Sequence, residues 1–132
     1  VGGGSGVCGN ALVAKAQAPA SYRAWKAGRL DVDSSMETRH EGVATRVPFQ
    51  MTMDLMWQWV DDFVLVDDAE IDHAMRLLAE LAKLVAEGSG AVSLAAALQM
   101  RERLRGKKVV GVLTGGNVPI AHLAHLLVSQ QS

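Results

Sequence analysis

Two glycine-rich turns constrain this chain most: Gly2-Gly3-Gly4-Ser5-Gly6 near its start and Thr114-Gly115-Gly116-Asn117 near its end. Glycine reaches positive φ at no steric cost, and without a Cβ it lets backbone N–H groups approach an anion or a flat ring closely. The first turn opens a run that reads as helix. The second closes the apolar run Val109-Val110-Gly111-Val112-Leu113. That run is expected to be a strand covered on both faces, as in the middle of a parallel sheet.

The text between the turns alternates helix and strand. Val7 to Gln17 is expected to be a helix, with the small residues Ala11, Ala14 and Ala16 suited to close packing and Pro19 ending it. Ala20 to Ala27 reads as a short helix stopped by Gly28. From Arg29 to Pro48 no period persists, so a long loop is expected; such loops in compact domains are usually functional or disordered. Phe49 to Val60 is helical, with Met53, Met56 (or Trp57) and Val60 on one face, and Phe63-Val64-Leu65-Val66 is a short buried strand. Asp67 or Asp68 then caps a longer helix with Glu70 in its first turn and an apolar stripe of Ile71, Met75, Leu78, Leu81 (with Ala82) and Val85. Glu87-Gly88-Ser89-Gly90 is expected to break that helix, Ala91 to Leu104 to form the next, and Pro119 to open the last. This order gives an α/β class: one three-layer domain over residues 1–132 with a mostly parallel sheet. Ligands of such folds bind beyond the carboxyl ends of strands, where both glycine turns fall.

Bulk properties narrow the function classes. Charged residues make up 20% and apolar residues 49%, as in an ordinary soluble domain, and the net charge of -1 gives no reason to expect nucleic acid. The basic cluster of Arg101, Arg103, Arg105, Lys107 and Lys108 includes Glu102 and reads as a solvated helix terminus. Cys8, the single cysteine, excludes an internal disulfide and fits a reducing, cytoplasmic compartment. No apolar run is long enough for a membrane span, and no secretory signal is expected. The chain opens on Val1 and reads as starting at the end of a strand.

No metal site is expected. His122 and His125 lie three apart on the last helix with no cysteine or carboxylate near them in sequence, so they read as surface or packed histidines. His73 reads as solvated, and His40 in the long loop is the one worth watching. Met51, Met53, Met56, Trp57 and Trp59 read as core or interface. Cys8, just past the first glycine turn, reads as a buried, inert thiol.

Five motifs in order resemble a known family. Gly2 to Gly6 look like the phosphate loop of pyridoxal-phosphate enzymes of fold type II, the tryptophan-synthase β-like group. Thr38-Arg39-His40-Glu41-Gly42-Val43-Ala44 resembles the T-x-A-[DE]-G-[IL]-A stretch of their threonine and serine dehydratases. Asp61 to Ile71 resembles D-x-x-V-x-V-x-D-x-E-I, Glu87 to Ala91 matches E-x-x-x-A, and Thr114 to Asn117 matches [ST]-G-G-N. The resemblance covers the C-terminal portion of such an enzyme.

It implies pyridoxal phosphate as cofactor, bound by Gly2, Gly3, Gly4, Ser5 and Gly6 at its phosphate and by Thr114 at its ring nitrogen. Glu87 and Glu41 would be near the ring or substrate. It also implies elimination of the β-hydroxyl of a hydroxy amino acid to give a 2-oxo acid and ammonia, in an enzyme that is a homo-oligomer at full length. A neutral hydroxyl facing the ring nitrogen does not favour ring protonation as a carboxylate would, which suits loss of a β-leaving group over transamination. The lysine that holds the cofactor covalently lies in the family's N-terminal portion. Lys15, Lys26, Lys83, Lys107 and Lys108 do not match it, so no catalytic residue is assigned. A strand that the family places before Ala20-Ser21-Tyr22 also reads as missing.

Two other classes stand beside this reading. One is a truncated, non-catalytic relative that binds a phosphorylated ligand or a partner protein. The other is a nucleotide-binding module, but the glycine turn lacks the Gly-Lys-[Ser/Thr] ending of a P-loop and the strand and acidic residue of a dinucleotide site.

Overall fold

A computed structural model of the chain describes residues 9–16, 19–30 and 49–128. Gly2 to Gly6, Cys8, His40 and Glu41 lie outside the described residues. The elements are β1 (Ala11–Lys15), α1 (Ala20–Ala27), α2 (Gln50–Trp59), β2 (Asp62–Val66), α3 (Asp68–Leu77), α4 (Gly88–Gln99), α5 (Arg101–Leu104) and α6 (Ile120–Val128).

β1 and β2 form a parallel pair, with Ala11 opposite Asp62 and Lys15 opposite Val66. This corrects the helix expected over Val7 to Gln17, because Ala11–Lys15 is a strand. Alanine spacing in so short a run is compatible with either structure, and one turn of helix is marginal by itself. The decision is tertiary. Asn10 clasps the start of β2: its N–H donates to Asp61 Oδ2 at 2.8 Å, and its carbonyl accepts from Asp61 N at 2.9 Å. At the far end Ala16 N donates to the Val66 carbonyl at 2.9 Å. The strand that reads as missing before Ala20 is therefore present as β1.

β2 follows its sequence signal, with Val64 and Val66 buried. Asp67 then caps α3. Its carboxylate accepts from Glu70 N at 2.8 Å while the Glu70 carboxylate accepts from Asp67 N at 2.8 Å, a reciprocal capping box. Ile71, Ala74 and Met75 fill the core, but the expected stripe fails beyond Leu78. A single π turn, Leu78–Ala82, closes the helix, and Leu81 is 76% exposed.

α4 packs its alanine face, Ala91, Ala95 and Ala96, on α3 and the sheet. Gln99 Nε2 donates to the Leu65 carbonyl at 3.1 Å, and Arg103 pairs with Asp62 at 3.1 Å, so α4 and α5 are tied to β2. α6 lies on α3 through Leu126. On the other side Phe63 sits between Tyr22 and Trp25, each ring centroid 5.7 Å away. Met53 of α2 is fully buried, and Met56, Trp57 and Val60 are half-buried on the same face, as expected.

The run Val109 to Leu113 carries no strand ladder, and Val110 and Val112 are 92% and 70% exposed. Among the described residues the sheet has two strands, and neither lies along this run. The expectation of a covered strand rests on apolar composition, but a strand needs a neighbour to pair with.

Candidate functional site

Where α3 ends, Lys83 takes φ 58°, the left-handed conformation in which a side chain is strained. Its Nζ reaches back to the Glu80 carbonyl at 2.6 Å, and Leu84 N donates to the Leu78 carbonyl at 3.0 Å. This sharp stop directs residues 84–87 towards the second glycine turn. A Cβ at Gly116 would lie 3.0 Å from the Val85 carbonyl oxygen, and Glu87 N donates to the Gly115 carbonyl at 3.3 Å.

Glu87 is the residue just before α4, and its carbonyl accepts from Gly90 N at 2.9 Å and Ala91 N at 3.1 Å. Its carboxylate is held by the Ser89 hydroxyl, which donates to Oε1 at 2.8 Å. The negative charge thus rests at the positive end of the α4 dipole. The same carboxylate occupies the space a Cβ at Gly115 would need, and Gly115 has φ 69°. Glycine is required there twice over, by conformation and by contact. Gly90, inside the helix, is constrained by contact alone, because its Cβ would collide with the Thr114 carbonyl.

The expected break at Glu87 to Gly90 is corrected by this geometry. Gly88 and Gly90 are buried inside the first turn of α4, where Gly90 admits the backbone of Thr114 and Gly115. Farther back, Ser93 Oγ donates to the Val112 carbonyl at 2.9 Å, and a Cβ at Gly111 would be 3.1 Å from the Ser93 Oγ. The approach to the turn is therefore laid along α4.

Of the residues expected in the site, the fold brings Glu87 and Thr114 together through Gly115 and Gly90. Thr114, Gly115, Gly116 and Asn117 are exposed, whereas Glu87 is half-buried, which makes an open shelf with a carboxylate at its back. Sequence reasoning does not single out Val85, Ser89 and Gly90 as site-shaping residues. Their one signal is the pair of glycines two apart at the head of an alanine-rich helix.

His122 and His73 are placed elsewhere. His122 Nε2 lies 3.7 Å from Asp72 Oδ1 across the α3–α6 seam, a carboxylate distant in sequence. His73 is exposed and meets Arg76 at 3.1 Å. Among the described residues no group of three His, Cys, Asp or Glu side chains is placed to hold a metal, and no helix is long and apolar enough to cross a membrane.

The family described as pyridoxal-phosphate dependent enzyme matches residues 4–115. The chain belongs to this family. An L-threonine ammonia-lyase of Thermotoga maritima is 37% identical over 102 residues, which are 77% of this chain and 25% of that relative. A threonine deaminase of T.th. superposes with a TM-score of 0.79 at 30% identity, covering 88% of this chain and 42% of that one. Maize serine racemase gives 0.75 at 29% identity, covering 91% and 38%. The chain thus spans about a quarter of the length of the curated relative it matches. Its fold is that of the fold type II enzymes, α/β with a parallel sheet, and its family uses pyridoxal phosphate and includes the threonine dehydratases.

The chemistry of the shelf is compatible with that cofactor: Thr114 is exposed and carries a neutral hydroxyl, and Glu87 holds a half-buried carboxylate against Gly115.

Proposed function

We propose that residues 1–132 form the C-terminal portion of a pyridoxal-phosphate-dependent dehydratase acting on threonine or serine. The observation that carries this reading is the Glu87 carboxylate seated on Gly115, next to the exposed Thr114. Bound there, pyridoxal phosphate would supply an electron sink for loss of the Cα proton and the β-hydroxyl, giving a 2-oxo acid and ammonia.

The chain's own residues would bind and orient. Thr114 would meet the ring nitrogen with a neutral hydroxyl, Glu87 would stand near ring or substrate, and Gly2 to Gly6 would cradle the phosphate. Held by Ser89 and the α4 dipole, Glu87 keeps its place without a cationic partner being needed. A hydroxy amino acid is the substrate class supported by the printed names of the relatives, threonine ammonia-lyase and serine racemase. The cytoplasm is the compartment this metabolism suits.

A spectral titration with pyridoxal phosphate tests the reading, run on the chain assembled with the N-terminal portion of the fold. Saturable binding that Thr114→Val weakens, with ammonia released from threonine or serine, is the expected result. An assembled protein that takes up no cofactor overturns it.

A second reading rests on the lysines: Lys15, Lys26, Lys83, Lys107 and Lys108 do not match the cofactor-linking residue. A non-catalytic relative that binds a phosphorylated ligand or a partner would follow. Intact mass separates the two readings, since a cellular polypeptide near 14.1 kDa supports the second and one more than about twice as large supports the first.

A further inference from the structure

Glu87 has two carboxylate oxygens, and the fold uses them differently. Oε1 accepts from the Ser89 hydroxyl at 2.8 Å and occupies the space of the missing Gly115 side chain. Oε2 has no hydrogen-bond partner among the described residues and is not sealed from solvent. Among those residues Ser89 alone donates to the carboxylate.

A glutamate side chain turns about three bonds, so an unrestrained carboxylate spreads over several rotamers. Ser89 supplies the restraint. It is the second residue of α4, so the helix fixes its backbone, and its hydroxyl is carried on a single carbon. One turn farther along the same face, Ser93 Oγ donates to the Val112 carbonyl at 2.9 Å. The two hydroxyls thus serve one segment, residues 111–115, by different means. Ser93 fastens its main chain, whereas Ser89 fastens the carboxylate that rests on it.

We propose that Ser89 is a positioning residue of the shelf: it commits Oε1 of Glu87 to the helix and to Gly115, and leaves Oε2 as the acceptor for a hydrogen-bond donor on the bound ligand. This role deepens the cofactor reading above and rests on it for the identity of the ligand. The placement of Glu87 by Ser89 is testable without any cofactor.

A thermodynamic cycle on the unloaded, assembled protein reads that placement by chemical denaturation. Gly115→Ala puts a methyl group where Oε1 sits, so its effect reports whether the carboxylate is held there. In the Ser89→Ala background the carboxylate is free to swing aside. There Gly115→Ala should raise the unfolding constant at least about fivefold less than in the parent. Ser89→Thr keeps the hydroxyl and should keep the full effect. Ser93→Ala removes a hydrogen bond of the same segment without touching the carboxylate, and should leave the effect unchanged. Should Ser89→Ala not fold, Ser89→Cys, close in size but a much weaker donor, takes its place. An equal effect with and without the Ser89 hydroxyl overturns the proposal, and so does the same relief from Ser93→Ala.

The second arm adds pyridoxal phosphate to the same proteins. Ser89→Ala should weaken uptake at least about threefold and move the cofactor's absorbance band, and Ser89→Thr should restore both. Once Glu87 is replaced by alanine, Ser89→Ala should add nothing further. Uptake and spectrum unchanged by Ser89→Ala overturn the proposal. If the parent protein takes up no cofactor, the reading above fails and the ligand half of the proposal with it, while the cycle still decides whether Ser89 places Glu87.

Discussion

Glu87 and Gly115 hold each other from two sides: the Glu87 N–H donates to the Gly115 carbonyl at 3.3 Å, and the Glu87 carboxylate fills the place of the missing Gly115 side chain. The turn and the head of α4 are therefore one unit. A change on either side is felt by the other.

Gly115→Ala should cost about 3 kcal/mol of stability, from positive φ and from collision with the carboxylate. In a Glu87→Ala background the collision is gone, and the same substitution should cost about 1–2 kcal/mol. Urea unfolding of the four chains measures the difference. Equal costs in both backgrounds would show that the contact does not matter.

Two further glycines separate conformation from space. Gly28 ends α1 at φ 66° with nothing within 4 Å of a Cβ, so Gly28→Ala should lose about 1 kcal/mol. Gly90→Ala gains helix propensity, yet its Cβ meets the Thr114 carbonyl, a backbone atom that cannot rotate away. It should lose about 2 kcal/mol net and alter the shelf, seen as weaker cofactor uptake by the assembled protein. Thermal melts of the two variants should rank Gly90→Ala the less stable.

The capping box on α3 gives a local control. Asp67→Ala removes the acceptor for Glu70 N and should cost about 1 kcal/mol, whereas Asp67→Asn keeps most of the stability. Both can be read from chemical denaturation. Equal losses for Ala and Asn would mean that charge, and not the hydrogen bond, holds the cap.

At Lys83 the expected sign is reversed. Glycine relieves the left-handed strain and adds some unfolded-state entropy, so Lys83→Gly should raise stability by about 0.5 kcal/mol even without the Nζ–Glu80 hydrogen bond. A higher melting temperature is the expected result; a clear fall would show that the hydrogen bond outweighs the strain.

What is legible in the sequence is local. The Asp67–Glu70 cap and the stop at Gly28 each depend on residues within a turn of one another, and the strand at Phe63 to Val66 is marked by its own apolar run. β1 reads as helix because its strand character comes from pairing with β2, far along the chain, and its alanines carry no period of their own. The Val109 to Leu113 run misleads for the converse reason. Its composition describes a covered strand, but coverage depends on a neighbour. At the site, Glu87 and Thr114 are recognisable from motifs. The parts played by Gly90 and Val85 are not, because each acts on a backbone segment distant in sequence.

The seam between residues 85–90 and 114–116 is main chain against main chain, and this sets how the region can change. Its closest approaches are to the carbonyls of Thr114, Gly115 and Val85, with the Glu87 carboxylate, held by Ser89, seated on Gly115, so side-chain replacements away from Glu87 and Ser89 leave these backbone contacts in place. A change in length is different. One residue inserted between Ala86 and Gly90 would displace the carbonyls by up to about 3.5 Å and unfasten the join at once. The shelf is thus open to new surface chemistry by substitution and closed to remodelling by insertion or deletion.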